Sequence, residues 1–182
     1  MKIISGIYKG RKLEGFDIDG TRPTMDRVKE SLFGMIQDYV KESTVLDLFS
    51  GSGNLGIEAL SQGAKQSFLV DYNKKAYYTI KRNVQNIGIE NVSVFNLDYK
   101  KALNHFFTKN IKFDLIFLDP PYKTDYIEKS LELISEYDSL RQNGLIVCES
   151  DNLDKIIFTD EFEAIKEKKY GDKYIVLLRK IC

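Results

Sequence analysis

Residues 117–122 read FLDPPY, and within them Asp119, Pro120, Pro121 and Tyr122 form the most chemically specific cluster of the chain. Consecutive prolines donate no ladder hydrogen bond and end a strand in any protein. The flanking aspartate and tyrosine add chemistry. An exocyclic amine on a nucleobase is a poor nucleophile, because its lone pair is delocalised into the ring. Asp119 and the Pro120 carbonyl can both accept from its N–H groups, leaving the lone pair to point elsewhere. The Pro-Pro step fixes the carbonyl direction at small entropic cost, and Tyr122 can stack on the base face.

A second cluster lies upstream. Gly51-Ser52-Gly53-Asn54-Leu55-Gly56 is a literal G-x-G-x-x-G after an apolar run and before a helical pattern, with Asp71 twenty positions after Gly51. Glycines admit close backbone approach, and the following helix offers free N–H groups and a positive dipole end. Asp71 ends the second strand-like run, where a carboxylate can accept from both ribose hydroxyls of an adenosine cofactor. Asp98, after the third run, can accept from an adenine amine or cap a helix. Asp47, near the end of the first, repels a pyrophosphate and favours an ammonium or sulfonium group. That tilts the reading away from a nicotinamide dinucleotide. His105, the only histidine, lies on an amphipathic stretch and reads as structural.

Short apolar runs at 44–49, 67–70, 92–97, 113–119 and 144–149 alternate with helical patterns at 54–62, 73–86, about 99–109 and 124–138. Such near-continuous apolar strands separated by helices predict a doubly wound, mostly parallel α/β sheet covered on both faces. The end differs: FEAIKEKKY, a Gly171-Asp172 turn and KYIVLLRKI predict an antiparallel hairpin, for seven strands in all. Met25, Val28, Leu32, Met35, Ile36, Tyr39 and Val40 recur at helical spacing, with Thr24 as an N-cap. Residues 3–23 alternate apolar positions with frequent glycine and predict a small N-terminal β-hairpin. The expected organisation is a hairpin extension over 1–24 and one Rossmann-like domain over 25–182.

The 182 residues hold 27 basic and 27 acidic side chains, so no global charge points to a polyanion. Residues 1–29, however, carry seven basic side chains against four acidic ones. Cys148 and Cys182 fit neither a metal spacing nor a disulfide framework. No signal peptide and no apolar run of about 18 residues occurs, so a cytoplasmic protein without a membrane partner is expected.

LDLFSGSGNLGIEAL with Asp71 and DPPY resembles the S-adenosylmethionine-dependent amino-methyltransferases of the Rossmann-like class I. IISGIYKGRKL, RPTMDRVKESLF and YGDKYIVLLRK narrow the resemblance to the bacterial family that modifies the N2 amine of a guanine in 16S ribosomal RNA. It covers essentially the whole chain. The resemblance implies that Ser50, Gly51, Ser52 and Gly53 wrap the methionine part of the cofactor beside Asp47, that Asp71 holds its ribose and Asp98 its adenine amine, and that Asp119 to Tyr122 take the target base. It gives the basic N-terminus a role in RNA docking through Lys9, Arg11, Lys12, Arg22 and Arg27, which would contact phosphates, with Arg22 and Arg27 alternatively bracing the linker against the catalytic core. It implies S-adenosylhomocysteine as product, no metal, and a monomer acting on small-subunit RNA, in the ribosomal subunit. The chain departs from the family pattern at Asp71, where relatives commonly carry Glu, and at Asn54, where a small residue is usual. DPPY alone serves other amines, so an adenine-N6 or cytosine-N4 methyltransferase of DNA or RNA is the alternative. An NAD-dependent oxidoreductase and a non-catalytic RNA-binding module are the more distant ones.

Overall fold

The computed structural model describes residues 1–15 and 24–181. Helix α1 (Thr24–Val40) leads into the alternating series β1 (Thr44–Asp47), α2 (Asn54–Ser61), β2 (Gln66–Val70), α3 (Lys74–Ile87), β3 (Val92–Phe95), α4 (Tyr99–Thr108), β4 (Phe113–Leu118), α5 (Tyr126–Glu136) and β5 (Leu140–Ser150). A short 3-10 turn (Leu153–Lys155) then precedes the hairpin β6 (Phe162–Tyr170) and β7 (Lys173–Lys180). The seven strands form one sheet in the order β3-β2-β1-β4-β5-β7-β6. Strands β1 to β5 pair in parallel, and β7 runs antiparallel between β5 and β6. This is the doubly wound, mostly parallel sheet with a terminal antiparallel hairpin that the strand and helix pattern predicts, and the Rossmann-like class I architecture that the resemblance implies.

Alternation along each central strand explains why both faces must be covered. Leu115, Phe117, Leu145, Val147 and Leu177 point into one core, which Ile36 of α1, Ile57 of α2 and Ile80 of α3 complete. Ile116, Leu118, Ile146, Cys148 and Leu178 point into the other, closed by Phe106 of α4 and Leu131 and Ile134 of α5. Phe106 sits edge-on to Phe68, Phe95 and Phe113 at 5.2–5.5 Å between ring centroids, a favoured aromatic geometry. His105 packs beside Phe95, at 5.5 Å, consistent with its structural reading.

Chain order reverses direction across the sheet at β1, with β2 and β3 on one side and β4 and β5 on the other. A ligand crevice is expected beyond the carboxyl ends of the strands at such a point. The helix starts around it are built locally. The Asn73 side chain accepts from the backbone N–H groups of Lys75 and Ala76 and starts α3, and Gly88 ends that helix at a φ of 83°.

The described part of the N-terminal hairpin is antiparallel, with a bridge from Lys2 to Lys12, and residues 16–23 of the expected hairpin lie outside the described residues. Cross-strand bonds flank the bridge, from the Ile3 N–H to the Arg11 carbonyl at 2.9 Å, the Gly10 N–H to the Ile3 carbonyl at 2.8 Å and the Leu13 N–H to the Met1 carbonyl at 3.1 Å, and other backbone groups of the segment find partners in the body. The Ile4 and Ser5 N–H groups donate to Glu58 of α2, each at 3.1 Å, and the Ile7 N–H donates to the Ser61 carbonyl at 2.8 Å. Arg22 and the Thr24 side chain fall outside what the structure describes, as does Cys182.

Candidate active site

A cavity of about 990 Å³ opens at the carboxyl ends of the parallel strands. The segment after β1 contributes Leu48, Phe49 and Gly51, and the segment after β2 contributes Asp71, Tyr72 and Asn73. Leu97 to Lys100 follow β3, Asp119 to Tyr122 follow β4, and Tyr126 and Lys129 come from α5. The glycine loop and DPPY, far apart in the chain, therefore share one cavity.

The loop is shaped from beneath. The Ser50 hydroxyl donates to the Asp47 carbonyl at 2.7 Å and accepts from the Val70 N–H at 3.0 Å, tying the ends of β1 and β2 together. The Gly51 N–H donates to Asp71 Oδ2 at 2.9 Å, and the other Asp71 oxygen accepts from the Asn73 N–H at 2.9 Å. A carboxylate offers about four lone-pair sites, so Asp71 keeps capacity for further donors. Gly51 adopts a φ of 57°, and a Cβ there would meet no atom within 4 Å. Gly53, at a φ of 85°, opens α2.

Asp47, Ser50, Ser52 and Gly53 form the buried underside of the loop and do not line the cavity. Asp47 Oδ2 accepts from the Gly56 N–H at 3.0 Å, while its Oδ1 is buried without a partner. Burial is the main cause that raises this carboxyl to about 7; the Gly56 N–H opposes the shift and the Asp71 charge adds to it. Asp98 lines the cavity and also caps α4, accepting from the Lys101 N–H at 3.0 Å.

At the other end, burial pushes the Asp119 carboxyl well above the usual carboxylate range; the charge of Glu149 adds to the shift and Lys173 opposes it. The Tyr122 phenol donates to Glu149 Oε1 at 3.0 Å, leaving Tyr122 38% exposed. Thr124 Oγ1 donates to the Pro121 carbonyl at 2.7 Å.

Several site residues carry no spacing signal in the sequence. Phe49, Tyr99 and Tyr126 form an aromatic wall, with ring centroids 4.9–6.1 Å apart. Asn54, the unusual residue of the glycine loop, accepts from Lys29 Nζ at 2.7 Å. The same ammonium meets Glu58 at 2.9 Å and the Lys2 carbonyl at 2.7 Å, so one buried cation joins α1, α2 and the N-terminal segment.

The basic residues of the N-terminal segment lie elsewhere. Lys9, Arg11 and Lys12 are exposed, and Arg11 Nη2 donates to the Asn86 carbonyl in the last turn of α3. That places Arg11 about 20 Å along the helix from the cavity, at 1.5 Å per residue. Arg27 is exposed near the start of α1.

Comparison with known proteins fits this geometry. The family model described as conserved hypothetical protein 95 matches residues 1–179. Ribosomal RNA small subunit methyltransferase D of Haemophilus influenzae is 36% identical over 94% of this chain and 89% of its own. The chain belongs to this methyltransferase family. YlbH of Bacillus subtilis is 44% identical over 83% of each chain. The solved structure of yhhF from Escherichia coli superposes with a TM-score of 0.88 at 28% identity, covering all of this chain and 98% of that one. The methyltransferase fold is thus shared over the full sheet, including the C-terminal hairpin. No helix among the described residues of this methyltransferase is long and apolar enough to cross a membrane.

Proposed function

We propose that this enzyme transfers a methyl group from S-adenosylmethionine to the exocyclic N2 amine of a guanine in 16S ribosomal RNA of the small ribosomal subunit. The observation that carries the reading is that Gly51 and Asp71 share one cavity with Asp119, Pro120 and Tyr122. This shared cavity supports reading Asp71 as a carboxylate for a nucleoside and Asp119 to Tyr122 as a clamp for an amine. Relatives named as small-subunit ribosomal RNA methyltransferases support RNA as the substrate.

The cavity residues fit the cofactor. Asp71 retains lone pairs for the ribose hydroxyls, Asp98 faces the same cavity for an adenine amine, and the open space over Gly51 admits close approach. When bound, the cofactor supplies an electrophilic methyl group on a positive sulfonium. Asp47, Ser50, Ser52 and Gly53 then act from below, by holding the loop in shape.

Asp119 and the Pro120 carbonyl accept the two N–H groups of the target amine and turn its lone pair toward the methyl group. Tyr122 stacks on the base. Catalysis comes mainly from alignment, since holding two reactants in line removes much of the entropic barrier. The base must be unpaired or flipped out to reach the clamp. Lys9, Arg11, Lys12 and Arg27 would contact phosphates, and the distance from Arg11 to the cavity calls for an extended RNA rather than a short one.

Replacing Asp119 by Ala tests the clamp. Turnover on small-subunit RNA should be abolished while S-adenosylmethionine affinity stays within about twofold. A variant with a near-wild-type rate would contradict the assigned role.

A further inference from the structure

The DPPY segment leaves the sheet after Leu118 and carries Tyr122 into solvent, so its geometry depends on what holds the tyrosine. Three elements do. Lys155 of the 3-10 turn donates to the Tyr122 carbonyl. Glu149, near the end of β5, accepts from the phenol at 3.0 Å, and Lys173, at the start of β7, donates to that same carboxylate oxygen at 2.6 Å. The Glu149 side chain is only 13% exposed and Lys173 28%, so this pair is partly desolvated.

We propose that Glu149 and Lys173 are positioning residues for methyl transfer: the Glu149 carboxylate, charge-balanced by Lys173, holds the Tyr122 phenol and so fixes the clamp on the target base. The inference rests on the function proposed above.

A purely architectural role for the ion pair fits less well. Strands β5 and β7 already pair continuously from Leu145–Arg179 to Ser150–Tyr174, so their register needs no added bridge. The third member, Tyr122, lies outside the sheet. The chemistry also calls for the cation. Glu149 lies within electrostatic reach of Asp119, and two carboxylates at a clamp that must accept N–H groups repel each other. Lys173 offsets both. The C-terminal hairpin, whose YGDKY turn delivers Lys173, thereby contributes to the site rather than only closing the sheet.

The test is steady-state methyl transfer to small-subunit RNA by the full chain carrying Lys173→Met, Lys173→Arg, Glu149→Ala, Tyr122→Phe or the pair Glu149→Ala/Tyr122→Phe. Lys173→Met and Glu149→Ala should each lower kcat of the order of 100-fold, the size of effect expected from small misplacement. S-adenosylmethionine affinity should be unchanged, and Lys173→Arg should recover most of the rate. Because Glu149 and the phenol form one link, the paired variant should be no worse than Glu149→Ala. Unchanged kcat in Lys173→Met and Glu149→Ala overturns the proposal, as do losses that multiply in the paired variant. If Lys173→Met fails to fold, Tyr122→Phe removes only the phenol oxygen and decides the matter: an unchanged kcat overturns it. Wild-type protein inactive on every nucleic acid offered would instead overturn the underlying function.

Discussion

The Gly51 backbone N–H and the Asp71 carboxylate meet at 2.9 Å, so the glycine loop after β1 and the carboxylate after β2 behave as one unit. Asp71 thus both shapes the loop and presents its remaining lone pairs to the cavity. Replacing it by Ala should weaken S-adenosylmethionine binding by about 10- to 100-fold, the equivalent of roughly one hydrogen bond to a charged group. Calorimetric titration of variant and wild type measures this. Equal affinities would remove Asp71 from the cofactor site.

Two glycines of the same motif should respond differently to an added methyl group. A Cβ at Gly56 would lie 2.0 Å from Leu69 Cδ2 and 2.9 Å from Ser67 Oγ, in the packed contact between α2 and β2. Gly56→Ala should cost about 1–3 kcal/mol by overpacking. Gly51→Ala meets open space and pays only the cost of a left-handed backbone, about 1–2 kcal/mol, but it should weaken cofactor binding. Denaturant unfolding and ligand titration on both variants separate the two effects.

The buried pair of Lys29 and Glu58, 2.9 Å apart, should resist single replacement. Lys29→Met or Glu58→Gln leaves a buried group without its partner and should each cost about 3–5 kcal/mol. Replacing both together should cost clearly less than the sum of the two, because the sites are directly coupled. Urea unfolding of the four proteins gives the cycle, and strict additivity would show that the pair does not act as a unit.

Asp47 makes stability depend on pH. Its folded carboxyl titrates near 7 rather than 3.8, so the fold gains by holding the proton. That contribution is complete below about pH 4 and is lost as pH rises through about 7. The shift corresponds to roughly 4 kcal/mol at most. Asp47→Asn cannot ionise, so its stability relative to wild type should rise across that window. Parallel unfolding free energies for the two proteins from pH 4 to pH 8 would show that Asp47 does not titrate there.

The sheet was legible because its central strands are buried on both faces and therefore read as unbroken apolar runs, as in Phe113–Leu118. The seating of the N-terminal segment was not. Residues 1–3 and 10–13 do face each other, but the docking of the segment onto Glu58 and Ser61 of α2 is encoded by no local pattern. In the site, Gly51, Asp71, Asp98 and DPPY stood out because each follows an apolar strand. Glu149 and Lys173 belong to strands paired antiparallel, so they meet only once β5, β7 and the DPPY segment are brought together. Phe49 ends an apolar run, and Tyr99 and Tyr126 lie in separate helical patterns, so only the sheet order gathers them. Asn54 found its explanation only in Lys29, a residue of another helix.

The measurement that reaches the centre of this reading is transfer of label from S-adenosylmethionine to small ribosomal subunits that lack the modification. Deproteinised RNA and genomic DNA serve as competing substrates, and the labelled nucleoside is identified after digestion. Label at the N2 amine of a guanine in 16S ribosomal RNA is the expected result. Label confined to adenine N6 or cytosine N4, in either nucleic acid, would contradict it.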